Sequence, residues 1–390
     1  MDTFRQTDRQ TDRQTDRQTD RQTDRNSNIE ILRLVSMFFI IAFHATRMGY
    51  TQTDQPFVVY ASGVILGSWG VMAVDIFLLI SAWFLVNQKF RIRKIISIIV
   101  QLFTYTITFE LIYSVKHYVE TGDSVETLKN LLLYLTYDLF GNLWCNYWFV
   151  KTYLFMLLTS PLINKALNSL PRNQLKKALI ILGFVPIMAQ YHTSTVCDIM
   201  YFCYFFLLIG YWKKYGCRLL DQVKFWHAFL IIGIIVISRL AKYFLAPDGL
   251  QGYFSYILSQ TTAEVGRNAM IIMMGAIAIF FVTLKAKPHH NKLINSIAGC
   301  TLGVYLFHEN AMSGTENTLN VIFQNATECG FFNSLFTFPF KYFLLVLAVL
   351  CGGLIIEFIR NRLIQRPVMR KIDKTFGTKM DKIDSWFEKI

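Results

Sequence analysis

Seven cysteines are scattered along the 390 residues and no two form a CxxC pair, so the usual metal-ribbon and dithiol redox motifs are absent. Charged side chains are sparse, at 17%. Lys and Arg outnumber Asp and Glu by 39 to 26, yet no RNA- or DNA-binding motif accompanies the excess. No secretory signal peptide is expected, because the first apolar segment is long, lacks a small-residue cleavage site and follows a polar tail. Nor does the sequence show paired halves with Gly- or Pro-broken helices, the internal symmetry common in secondary transporters.

What it has is apolar bulk. Hydrophobic residues make up 53%, Phe numbers 34 and mean hydropathy is +0.36. Apolar blocks of membrane-spanning length recur throughout, which predicts an all-α, polytopic membrane protein. The basic residues collect in loops 89–94, 165–177, 213–218 and 285–292 and after position 360. Between these lie polar or acidic loops at 50–56, 120–126, 191–198, 246–252 and 313–333. Basic loops stay on the cytoplasmic side, so strict alternation predicts ten transmembrane helices with both termini cytoplasmic. The spans fall near 29–50, 63–86, 93–117, 147–166, 177–191, 198–212, 225–245, 266–284, 295–312 and 338–359. Residues 128–140 are too few to span and read as a re-entrant or interfacial segment on the outer side. Cys145, Cys197 and Cys329 fall on that side, where a disulfide can form.

The two ends differ from the membrane domain at 28–366. Residues 5–24 are five copies of Arg-Gln-Thr-Asp, each charge-neutral and without an apolar face, so residues 1–27 read as a disordered tail. A four-base DNA unit repeats every four codons, and AGAC repeated reads AGA-CAG-ACA-GAC, which encodes this tetrapeptide. The tract therefore suggests a slippage-prone array that switches expression on and off. Residues 367–390 place Met369, Ile372, Phe376, Met380, Ile383, Phe387 and Ile390 at three- and four-residue spacing among Lys and Asp. That pattern predicts a basic amphipathic helix on the inner membrane surface.

Ionisable residues inside the apolar blocks mark candidate sites, because a charge in lipid is costly and turns toward protein or a wet cavity. Arg33 and His44 lie in the first block, eleven residues apart, on nearly one helix face and roughly 16 Å apart along the axis. The plain alternative is an Arg that snorkels to the interface and a His satisfied by a neighbouring helix; the shared face argues for a site. Asp75 lies midway along the second block, Glu110 deep in the third, and Glu264 and Arg267 near the outer end of the eighth. His308 and Glu309 end the ninth in GVYLFHEN, so both histidines fall toward the outer face and Arg33 toward the cytoplasm.

Four segments resemble one family. NIEILRLVSMFFIIAFHA, with its Arg-x10-His spacing, looks like the first helix of the acyltransferase-3 family of integral-membrane O-acyltransferases. WGVMAVDIFLLISAWFLV is similar to its second helix, YWFVKTYLFMLLTSPLIN to its Trp-Phe…Tyr-Leu…Ser-Pro segment, and LGVYLFHEN to its Tyr-Leu-x-His end. The resemblance covers residues 28 to about 366. It implies transfer of an acyl group, usually acetyl from cytoplasmic acetyl-CoA and without a metal, to a hydroxyl of a cell-envelope glycan or its lipid-linked precursor. Arg33, with Arg91, Arg93 and Lys94, is then expected to hold the donor's phosphates, since guanidinium pairs bidentately with phosphate. His44, with His308 and Glu309, is expected to act on the acceptor hydroxyl as general base or to carry the acyl group. Ser81, Lys151 or backbone amides are the candidates for stabilising the oxyanion. The family's Ser-Gly appears here as Ser81-Ala82, and its Arg-x-x-Arg as Arg91-x-x-Lys94. Some relatives carry a fused extracytoplasmic esterase-like domain; none is expected here, so either the membrane domain acts alone or a separate partner completes transfer. The competing reading is a transporter or flippase of a glycan or lipid-linked substrate.

Overall fold

A computed structural model describes residues 26–52, 54–136, 147–188, 195–245, 270–310 and 317–388. Every regular element among them is helical. In chain order these are α1 (Ser27–Ala45), α2 (Phe57–Leu85), α3 (Ile92–Thr121), α4 (Ser124–Thr136), α5 (Trp148–Ser169), α6 (Arg172–Met188), α7 (Thr195–Tyr215), α8 (Arg218–Asp221) and α9 (Phe225–Leu245). They continue with α10 (Met270–Lys285), α11 (Lys292–Ala298), α12 (Thr301–His308), α13 (Thr318–Glu328), α14 (Phe338–Arg360) and α15 (Arg366–Glu388), the last two joined by a π-helical turn at Asn361–Gln365.

Helix α2 is apolar on all sides and buried along most of its length, as befits the centre of a bundle. It packs against α1, α7, α9, α10 and α14. The approach of α1 is close because α2 carries glycines where the helices meet. A Cβ at Gly70 would collide with the Phe43 side chain and the Phe39 carbonyl, and one at Gly67 would come within 2.7 Å of the Thr46 methyl. Small residues at a crossing are how membrane helices gain van der Waals contact when lipid supplies no hydrophobic drive between them.

Around that centre the usual arrangement of soluble proteins is inverted. Ile107, Leu111 and Ile112 of α3, Ile234 and Ile237 of α9, and Ile355, Phe358 and Ile359 of α14 are exposed, while Asp75, Glu110, His308 and Glu357 are buried. Apolar surface facing outward with polar groups inside suits a lipid environment. Among the described residues, four helical stretches are long and apolar enough to cross a membrane: Ser27–Met48, Phe57–Leu85, Ile92–Thr121 and Phe338–Glu388. Phe225–Ala241 and Ile271–Lys285 are shorter apolar helices.

Several elements differ from the sequence-based spans. The second helix starts at Phe57 rather than 63, directly after Pro56, which stands at the N-cap with an extended ψ of 140° and accepts from the Tyr60 amide. The block at 295–312 is not one helix: it breaks between α11 and α12 at Gly299, where the Cys300 amide bonds back only to Ile297. Gly122, at φ 71°, ends α3 in the left-handed region and lets α4 fold back along it. Helix α4 buries no residue, in keeping with a segment too short to span. The repeat tail at 5–24, Cys145, Glu264 and Arg267 lie outside the described residues.

Contacts gather the basic segments at one end of the bundle. The Ser27 amide bonds to His289 O, and Ser27 Oγ to Asn295 Oδ1 at 2.8 Å. At the same end Lys213 Nζ reaches Trp83 O at 2.6 Å and Lys214 Nζ reaches Leu167 O at 2.7 Å. Helix α15 folds over the start of α3 here. Arg93 is held by Asp373 at 2.8 Å and Asp381 at 2.7 Å, Asp384 accepts from the Ile92 amide, and Phe90 stacks on Phe387. At the other end Tyr50, Phe323, Phe332, Phe338 and Tyr342 form an aromatic cluster.

Candidate active site at the junction of α1 and α12

Two helix termini meet at this second end. His44 is the penultimate residue of α1, His308 is the last residue of α12, and Glu309 is the C-cap of α12. His308 is fully buried and His44 nearly so. His44 Nδ1 lies 3.0 Å from His308 Nε2 and 3.0 Å from Glu309 Oε1. Arg47 Nη1, one turn beyond His44, reaches both oxygens of Glu309, at 2.9 and 3.2 Å. Asn317 Nδ2 donates to Glu309 Oε1 at 3.4 Å.

The partners fix where the protons sit. His308 Nδ1 faces the Val304 carbonyl at 2.7 Å, a group that only accepts, so this nitrogen carries the hydrogen and Nε2 keeps a lone pair. His44 Nδ1 therefore faces two acceptors, His308 Nε2 and the Glu309 carboxylate, and must carry hydrogen as well. That leaves His44 Nε2 with its lone pair free for chemistry. In either protonation state Nδ1–H remains bonded to Glu309, so the carboxylate both orients the ring and stabilises the imidazolium formed when Nε2 takes a proton.

Surrounding groups hold the two helix ends in register. Tyr342 donates its hydroxyl to Ala42 O at 2.6 Å inside the core, pinning α1 two residues before His44. The Tyr147 hydroxyl reaches Leu306 O at 3.3 Å, and the Tyr305 ring packs edge-on to His308. Five residues before His308, Gly303 leaves room for Glu357, and a Cβ there would collide with that carboxylate. Glu357 is clamped by Arg360 through two contacts of 2.7 Å and accepts from Tyr105 at 2.9 Å and Gln101 at 3.0 Å. Arg360 also donates to Gln365, which in turn bonds Ser97. This buried network, fully satisfied as such networks must be, ties α3 to α14 and seats α12 against them.

His44, His308 and Glu309 thus come together as one cluster. Among the described residues, no hydrogen bond joins it to Asp75, Ser81, Glu110 or Lys151. Asp75 accepts from the Tyr201 hydroxyl at 2.7 Å, Glu110 is buried on α3, and Ser81 and Lys151 are half-buried on α2 and α5. Arg33 stands at the opposite end of α1, paired with the buried Glu30 at 2.6 Å and lying over the Phe84 ring. Arg91 and Lys94 are exposed at the start of α3, whereas Arg93 is engaged by α15. Arg47, Glu30 and the Glu357–Arg360 pair were not singled out by sequence reading. Glu30 stands three residues from Arg33 and Glu357 three from Arg360, a helical spacing that would have exposed both pairs, whereas Arg47 pairs with Glu309, 262 residues away, and gives no such signal. The ligand atoms of His44, His308 and Glu309 lie within 4.8 Å of one another and could hold a divalent metal ion.

Fold and site together define a multi-pass membrane protein with an oriented imidazole at the junction of two helices. The acyltransferase-domain family profile matches residues 26–358, and the chain belongs to the acyltransferase-3 family. No curated protein and no solved structure matches the chain. Its activity is acyl transfer.

Proposed function

We propose that the protein transfers acetyl, not an amino-acyl group, from cytoplasmic acetyl-CoA to a hydroxyl of a bacterial surface polysaccharide, lipopolysaccharide or capsule, or its lipid-linked precursor. It resides in the inner membrane with ten spans and both termini cytoplasmic. The observation that carries the reading is the 3.0 Å contact between His44 Nδ1 and Glu309 Oε1, which leaves Nε2 to face the acceptor. His44 acts as general base on the acceptor hydroxyl, with His308 and Glu309 holding its tautomer. Arg33, Arg91 and Lys94 lie at the end where the basic loops gather, which suits the anionic phosphates of the donor. The cluster needs no metal for this chemistry. A separate extracytoplasmic partner would serve where the acceptor is completed outside.

The Arg-Gln-Thr-Asp tract at 5–24 favours a surface glycan, because on–off switching through a tetranucleotide array suits an enzyme that decorates a structure exposed to host defences. Incubating purified protein with labelled acetyl-CoA and candidate lipid-linked saccharides tests the reading. Label in the saccharide fraction that is lost on mild alkaline treatment supports an O-acetyl product. Export of unmodified saccharide from proteoliposomes without thioester cleavage would point to transport and overturn it.

A further inference from the structure

We propose that Arg47 is a catalytic residue of the acyl transfer: its guanidinium stabilises the oxyanion of the tetrahedral intermediate. The inference rests on the acetyl-CoA reading above and deepens it. Arg47 and His44 are both hydrogen-bonded to the same oxygen, Glu309 Oε1, at 2.9 and 3.0 Å, so the guanidinium and the imidazole are held side by side. The contact is made by Nη1, and among the described residues Nε–H and the two Nη2–H groups make no other hydrogen bond. The Arg47 side chain is 48% exposed against 9% for His44, so the cation closes the open side of an otherwise buried cluster. It is held there by the 3₁₀ turn Thr46–Met48, which Gly49 terminates at φ 84°.

The charge balance explains why a cation belongs here. At rest the site holds one carboxylate and one guanidinium beside two neutral imidazoles. In the reaction the acceptor hydroxyl gives its proton to His44 Nε2 as its oxygen bonds to the thioester carbon, and the carbonyl electron pair moves onto oxygen. Imidazolium and oxyanion thus appear together. Glu309 answers the first through Nδ1–H, and Arg47 answers the second through its unused donors. Collapse of the oxyanion re-forms the carbonyl and breaks the C–S bond, and the departing thiolate takes the proton back from His44. Without Arg47 the site would carry a net negative charge at the moment the oxyanion forms, in surroundings of low dielectric where that is costly.

Full-length protein in lipid nanodiscs, with acetyl-CoA as donor and water as acceptor, tests this through release of the CoA thiol. Arg47→Gln should lower kcat about 100-fold, leave KM for acetyl-CoA within about twofold and leave the shape of the pH–rate profile unchanged. Arg47→Lys, which keeps the charge and loses the fork, should recover part of the rate. An unchanged kcat in Arg47→Gln overturns the inference. So does a shifted pH profile that Glu309→Gln reproduces with no further loss in the double variant, because Arg47 would then act only by positioning Glu309. Wild-type protein that binds acetyl-CoA but does not cleave it, or does not bind it at all, overturns the donor reading and the inference with it.

Discussion

His44 and His308 carry the same side chain, and only their hydrogen bonds make them different. The Val304 carbonyl consumes one nitrogen of His308 and His44 consumes the other, whereas His44 keeps Nε2 free. His44→Gln should therefore cost about 10²- to 10⁴-fold in transfer with acetyl-CoA affinity intact. His308→Ala should cost less, since Glu309 still orients His44. Equal losses, measured as kcat under saturating donor, would mean that His308 is the base. A Zn²⁺ ion has suitable ligands in the same three side chains; bound at His44 Nδ1, it would force the ring hydrogen onto Nε2 and so remove the needed lone pair. Micromolar zinc should thus inhibit and EDTA should reverse it, while EDTA alone leaves the rate of metal-free preparations unchanged; loss of activity on EDTA alone would make the metal part of the mechanism. At the far end of α1, Arg33 neutralises the buried Glu30, so Arg33→Ala strands a carboxylate as well as removing a phosphate ligand. Adding Glu30→Gln should restore thermal stability without restoring acetyl-CoA affinity. Recovery of both would show that Arg33 serves only its partner.

Among the helices, the α1–α2 crossing and the seat of α12 set the site. Gly70→Val must push Phe43, the neighbour of His44, and Gly303→Ala must push Glu357. Each substitution should cost about 1–3 kcal/mol, read as a lower unfolding temperature in detergent by size-exclusion chromatography after heating. An unchanged temperature would mean that the helices separate there at no cost. Helix α15 offers a different test. Because Asp373 and Asp381 hold Arg93, Arg93→Ala should free residues 366–388 to proteolysis and change acetyl-CoA affinity less than Arg91→Ala or Lys94→Ala does. A larger loss of affinity for Arg93→Ala would make it the principal phosphate ligand. The sequence indicated most helices through apolar length and most boundaries to within a few residues. It missed the break at Gly299, because a glycine within an apolar run is read as helix unless tertiary packing shows the ladder interrupted. It also treated 367–390 as a membrane-surface helix, where period and charge are plain but docking of its aspartates on Arg93 is not.

At the scale of the whole molecule, contacts draw together residues 27–28, 83–94, 213–214, 285–295 and 366–388 at one end of the bundle, the end that the alternating-loop reading would put in the cytoplasm. Single cysteines placed at 290 and 330 in a cysteine-free variant should differ in intact cells: a membrane-impermeant maleimide labels 330 and spares 290. Labelling of 290 from outside would invert the orientation and put His44 on the cytoplasmic side.

The sequence by itself determined the class and the family, and it named His44, His308 and Glu309 among its candidates for a site. Apolar length, the distribution of Lys and Arg, and the order of four motifs are properties of the chain read one position at a time or at helical spacing. Only the tertiary structure decided that His44 meets residues 308 and 309 rather than Asp75, Ser81, Glu110 or Lys151, that Arg93 is occupied, and that Arg47 stands beside the imidazole. Those outcomes depend on which helix ends come together across some 260 residues of chain. Close packing settles that, through glycines that admit a neighbour and a tyrosine that reaches a carbonyl, and neither leaves a periodic trace in the sequence.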